Sequence, residues 1–161
     1  MNSNGQVEQS GAQTFRVAIV GAGLSGLACA RSLADRCLQV QVFDKARGPG
    51  GRMSTRRADD WRFDHGAQYF TIRDPQFSRQ VHSWRQQGLV DSWTGTIAVL
   101  DRGAIEVKGD APKRFVGVPG MNAVCKKLAA GLDVAYRTEV GGLAQTDTGW
   151  NLTAADGTAL G

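Results

Sequence analysis

Apolar residues follow two different rhythms along the first third of this chain. Val17-Ala18-Ile19-Val20, after Phe15 and Arg16, is a continuous, mostly β-branched run, the pattern of a strand buried on both faces of a parallel sheet. From Leu24 to Asp35 the composition becomes helical, with Leu24, Leu27, Ala28, Ala30 and Leu33 predicted on one side. Leu38 to Phe43 then alternates apolar and polar positions and ends at Asp44, a second strand. Strand, helix and strand make a β-α-β unit of about thirty residues, the usual length of that motif.

The pattern is more broken further on. Lys45 to Gly51 reads as a loop, and Trp61 to Phe70 as strand and turn interrupted at Gly66. Pro75 to Gln87 predicts a helix: Asp74 can cap it, Pro75 suits its first turn, Phe77, Val81 and Trp84 share a face, and Gly88 ends it. Short strands are expected between Leu89 and Val107. Met121 to Ala130 predicts a further helix, with Val124, Leu128 and Ala129 inward and Gly131 as the stop. Val134 to Arg137 predicts a strand, and Gly142–Gln145 and Trp150–Ala154 the arms of a hairpin around Thr148-Gly149. Trp61, Trp84, Trp93 and Trp150 are expected to be core anchors.

Composition narrows the class. The chain has 161 residues, 42% of them hydrophobic, and a net charge of +4, which excludes a disordered chain. Three cysteines without CxxC spacing exclude a disulfide scaffold and suit a reducing cytoplasm. The polar first 13 residues read as a flexible leader, with neither the basic start nor the apolar core of a signal peptide. No stretch is long and apolar enough to suggest a membrane span. His65 and His82 lack partners at metal-ligand spacing, so no metal is expected. Arg47, Arg52, Arg56, Arg57 and Arg62 fall within sixteen residues. Followed by few aromatics at stacking spacing, they suggest a local anionic ligand rather than nucleic acid.

Glycine is the outlier, at 21 residues, close to twice the usual share of about 7%. Gly21-x-Gly23-x-x-Gly26 follows a strand and opens a helix, the context that gives this motif its meaning. Gly21 permits the tight turn, Gly23 lets backbone approach a pyrophosphate, and Gly26, with Ala30 one turn on, lets helix pack on strand. The helix N-terminus offers free N–H groups to phosphate, and Ser25 adds a hydroxyl. Asp44 is placed to accept hydrogen bonds from ribose hydroxyls and disfavours a 2′-phosphate; the competing reading is a strand-end cap. Gly50-Gly51 brings backbone close to a ligand and Arg52 presents a planar fork to a diphosphate, or the pair is an ordinary turn with a solvated arginine.

These motifs together carry a resemblance. The glycine loop, the acidic strand end and Gly50-Gly51-Arg52-Met53 are similar to the flavin-containing amine oxidase superfamily, with its glutathione-reductase-like FAD fold. Phe43-Asp44-Lys45, Asp64-x-Gly66-Ala67-Gln68-Tyr69 and Val118-Pro119-Gly120-Met121 resemble its renalase-like branch. The resemblance implies an α/β, Rossmann-like FAD/NAD(P)-binding fold with a β-meander, truncated, over residues 14–161. Residues 75–118 would be an inserted segment leading toward a substrate domain. It implies that Gly21, Ala22, Gly23, Ser25 and Gly26 hold the pyrophosphate and Asp44 the ribose, with Lys45 beside it. Gly51, Arg52 and Met53 would line the diphosphate, Gln68 and Tyr69 the flavin, and Val140 would touch adenine through its backbone. Read without the resemblance, Gln68-Tyr69 is more readily a strand with Tyr69 packed in the core.

The implied activity is that of a cytoplasmic FAD-dependent oxidoreductase. A hydride would pass to flavin from a small-molecule donor, a dihydronicotinamide dinucleotide isomer or an amine, with molecular oxygen as acceptor and neither nucleic acid nor membrane as partner. The catalytic residues are not identifiable from the sequence. A non-catalytic nucleotide-binding fragment and an NAD-dependent dehydrogenase domain are the alternatives; Arg52 after paired glycines speaks against the second.

Overall fold

A computed structural model describes residues 16–96, 98–107 and 112–160. The expected leader and the Phe15 start of the first strand lie outside the described residues. The first elements are β1 (Arg16–Val20), α1 (Leu24–Ala34), β2 (Gln39–Asp44), β3 (Thr55–Ala58), β4 (Trp61–Asp64), β5 (Phe70–Thr71) and α2 (Pro75–Gln86). There follow β6 (Val90–Ser92), β7 (Ala98–Asp101), β8 (Ala104–Val107), β9 (Arg114–Gly117), α3 (Ala123–Ala129), β10 (Asp133–Tyr136), β11 (Val140–Thr146) and β12 (Gly149–Ala154).

The parallel sheet has the order β1-β2-β10. Val17 lies opposite Val40 and Ile19 opposite Val42, while Tyr136 of β10 lies opposite Asp44. Helix α1 crosses between β1 and β2 and buries Leu27 and Ala30 with Ala22, Val42 and Cys125. Ala28, expected inward, is exposed. It follows Leu27 by one position, about 100° around the helix and away from the sheet.

A second core lies under α2. Asp74 accepts a hydrogen bond from the Phe77 amide at 2.8 Å and so caps the helix. Its inward face packs Val81 and Trp84 on Val90 and Phe115 of the antiparallel sheet β5-β9-β6, together with Val124. Leu24 and Leu128 touch both cores. Of the four tryptophans only Trp84 is an anchor: Trp61, Trp93 and Trp150 are exposed. Trp61 and Trp150 lie on two-stranded hairpins, β3–β4 and β11–β12, and Trp93 follows the short strand β6.

Strands β3 and β9 have no apolar alternation to announce them. In β3 two adjacent arginines, Arg56 and Arg57, occupy the central positions. Thr158, Ala159 and Leu160 fold along the β11–β12 hairpin, and Leu160 lines one cavity with Val17 and Val40 of the parallel sheet. Ala159 bridges Thr153, and the Leu160 amide donates to the Leu152 carbonyl at 2.9 Å. No helix among the described residues is long and apolar enough to cross a membrane.

Candidate nucleotide-binding site

The carboxyl ends of β1, β2 and β10 deliver Gly21, Asp44 and Tyr136 to one edge of the parallel sheet, the place where open α/β sheets hold ligands. Gly21 has φ +105°, a value that L side chains rarely adopt. A Cβ at Gly26 would lie 2.1 Å from the Gly21 carbonyl oxygen and 3.4 Å from Ile19 Cγ2. The third glycine therefore closes the turn as well as seating the helix on its strand. Gly23 is the N-cap of α1, and no side chain caps that first turn; its amides are left for an external acceptor.

The second glycine pair is part of the same construction. Gly50 forms a parallel bridge with Gly23, and its amide donates to the Ala22 carbonyl at 2.9 Å. Gly51 has φ +53°, and a Cβ there would approach Gly23 Cα to 3.2 Å. A 3-10 turn over Gly51–Met53 then presents Arg52, which is exposed. Behind it, the Ala67 amide donates to the Arg52 carbonyl at 2.7 Å, and a Cβ at Gly66 would strike that same oxygen at 2.2 Å. Three loops that are distant in sequence thus form one continuous rim of backbone.

Asp44 does more than either reading of its position expected. One carboxylate oxygen accepts from the Ala22 amide in the glycine turn, and the other accepts from Ala46 at 2.7 Å. The strand-end cap is real, yet each oxygen retains acceptor capacity for a hydroxyl. Lys45 is exposed and pairs with Glu139 at 3.7 Å. The Arg137 and Thr138 amides donate to the Ala46 and Asp44 carbonyls, both at 2.9 Å, which brings half-buried Val140 to the same edge. Tyr136 beside Asp44 carried no sequence signal; burial first, then the Asp44 charge, raises its phenol pKa.

Ser25, Gln68 and Tyr69 are exposed, while Met53 is half-buried against the first core. Asp64 anchors the Asp64–Tyr69 segment to Val118-Pro119-Gly120-Met121: it accepts from Thr55 Oγ1 at 2.5 Å and from the Met121 amide at 3.0 Å. The arginine cluster does not converge. Arg47 is an exposed loop residue and Arg52 lies in the Gly51–Met53 turn, while Arg57 and Arg62 face each other across the β3–β4 hairpin. Lys126 has a lowered pKa through burial first and then those two arginines. Cys125 is buried, and burial pushes its thiol up to about 11. Among the described residues no three His, Cys, Asp or Glu side chains group as metal ligands.

Residues 19–86 match the family described as NAD(P)-binding Rossmann-like domain. The chain carries a Rossmann-like NAD(P)/FAD-binding fold. Within it, 54 residues are 46% identical to the zeta-carotene-forming phytoene desaturase of Myxococcus xanthus, covering 34% of this chain and 10% of that protein. A hydroxyneurosporene desaturase of Rubrivivax gelatinosus is 46% identical over 61 residues, 38% of this chain and 12% of its own. The chain thus spans about a tenth of the length of the curated relatives it matches. Putrescine oxidase with bound putrescine superposes with a TM-score of 0.67 at 16% identity, over 90% of this chain and 56% of that one. The 2,6-dihydroxypyridine-3-hydroxylase of Arthrobacter nicotinovorans gives 0.60 at 18%, over 91% and 34%. At these identities the two structures speak for the Rossmann-like architecture alone.

Proposed function

We propose that this chain is the FAD-binding part of an oxidoreductase. The observation that carries the reading is the bridge between Gly23 and Gly50, which adds Gly51 and Arg52 to the glycine turn. A β-α-β unit alone serves any dinucleotide; a second backbone segment with a guanidinium beside it suits the diphosphate of a larger, tightly held one. By name the relatives are desaturases, an oxidase and a hydroxylase, which supports redox chemistry. FAD supplies a two-electron acceptor when bound.

In this reading the α1 amides with Gly21, Ala22, Gly23, Ser25 and Gly26 hold the pyrophosphate, and Asp44 holds the ribose with Lys45 and Val140 nearby. Gly51, Arg52 and Met53 complete the diphosphate wall, and Gln68 and Tyr69 border the flavin. The donor is a small reduced molecule, a dihydronicotinamide dinucleotide isomer or an amine, and dioxygen is the acceptor. Residues 75–118 lead toward the part that encloses the donor.

Purified chain is expected to be yellow and to release FAD on denaturation. Arg52→Ala should lower FAD retention by about tenfold or more, the scale of a lost charge-assisted hydrogen bond. Unchanged retention, or NAD binding without affinity for FAD, refutes the assignment.

A further inference from the structure

The antiparallel sheet presents a second group of side chains on the face turned away from α2. Phe115 packs toward α2 with Val90 and Val81, so strand alternation puts its neighbour Arg114 on the opposite face. The Arg114 guanidinium carbon lies 4.5 Å from the centroid of the Tyr69 ring and 5.9 Å from that of Trp93. The two rings are 5.7 Å apart and inclined at 48°. Both stay accessible, Tyr69 at 39% and Trp93 at 43%.

The arrangement is held in place. The Trp93 amide donates to the Arg114 carbonyl at 2.9 Å, and Thr71 of β5 pairs across from Arg114. The indole lies over Gly95, where a Cβ would come within 2.6 Å of Trp93 Nε1. The ion pairs among the described residues join Lys45 to Glu139, Arg85 to Asp91 and Arg102 to Asp101. None of them neutralises Arg114.

A guanidinium resting on aromatic rings keeps the donors in its own plane for an acceptor. Exposed ring surface beside it favours a planar apolar body. An ammonium group would instead meet a charge of its own sign. Tyr69 stands two residues beyond Ala67, whose amide donates to the Arg52 carbonyl, so the segment that carries Tyr69 continues from the rim described above. We propose that Tyr69, Arg114 and Trp93 form the donor subsite of this oxidoreductase. The subsite selects a planar donor that carries an oxoanion, carboxylate or phosphate, over an amine. Its place in a redox site rests on the FAD reading; its preference for an anion does not.

Binding is tested on the whole chain by NMR titration of the Trp93 indole resonance, assigned with Trp93→Phe. Benzoate and phenyl phosphate represent the two oxoanions, and benzylamine the amine. At least one of the anions should shift the resonance saturably while benzylamine does not, and the stronger identifies the preferred oxoanion. Arg114→Gln should weaken that binding by about tenfold, and Arg114→Lys, which keeps charge but not the fork, by less. No saturable shift with either anion, equal binding of benzylamine, or unchanged affinity in Arg114→Gln overturns the subsite. The preference for anion over amine is read on the unaltered chain, so a folding defect in Arg114→Gln leaves the test decisive. Flavin absorbance is measured separately: a colourless chain that binds anions through Arg114 sinks the FAD reading and leaves the anion preference standing.

Discussion

Gly26 and Cys125 show how much a single position can carry here. A methyl group at Gly26 would be driven into the Gly21 carbonyl at 2.1 Å, a backbone group rather than the end of a flexible side chain, with Ile19 Cγ2 at 3.4 Å beyond it. Gly26→Ala is therefore expected to cost about 3 kcal/mol, the upper end of ordinary overpacking, with loss of FAD retention; urea denaturation measures the first and absorbance the second. Cys125 is fully buried and its thiol is raised to about 11, while Cys29 and Cys37 are exposed. Iodoacetamide at mildly alkaline pH should label Cys29 and Cys37 and spare Cys125, as peptide mass spectrometry would report. The linkage has a definite sign. Unfolding returns Cys125 toward its ordinary 9.0, so its share of stability is intact below pH 9 and is lost as pH climbs through 11.

At the scale of elements, α2 was the most legible from sequence, because cap, first-turn proline and apolar stripe all agree. Its Asp74 side chain accepts from the Phe77 amide. Asp74→Ala should lower stability by about 1 kcal/mol, read as a shift in denaturation midpoint with unchanged m-value. The glycine loop and the course of α1 were legible too, since they depend on neighbours close in sequence, though Ala28 turns outward. Strands β3 and β9 were not: β3 is held by a tight hairpin with β4 and by the Thr55–Asp64 bond, while its own four residues, two of them arginine, carry no apolar alternation. Trp93 lies outside the cores. An aromatic in a sequence predicts apolar contact, but only the fold revealed that its neighbours are Tyr69, Arg114 and Gly95 rather than a core.

Over the whole molecule, the parallel and antiparallel sheets share packing through Leu24 and Leu128. They should unfold together. Tryptophan fluorescence, weighted to Trp84 in one core, and far-ultraviolet circular dichroism should give coincident transitions. Leu128→Ala should shift both by the same amount, about 2 kcal/mol for a partly buried leucine; a shift in only one would mean that the cores are independent.

The sequence by itself determined the β-α-β unit, the glycine turn, the acidic strand end and the helix under Asp74. These are local features, where residues a few positions apart set dihedral angles, caps and burial. Tertiary structure alone decided that Gly50-Gly51 bridges Gly23, that Asp44 holds the turn at Ala22, and that Gly66 and Ala67 close on Arg52. It also decided that Arg114 stands between Tyr69 and Trp93. Such contacts join backbone and side chains far apart in the chain, and no short-range pattern encodes the distance at which they meet.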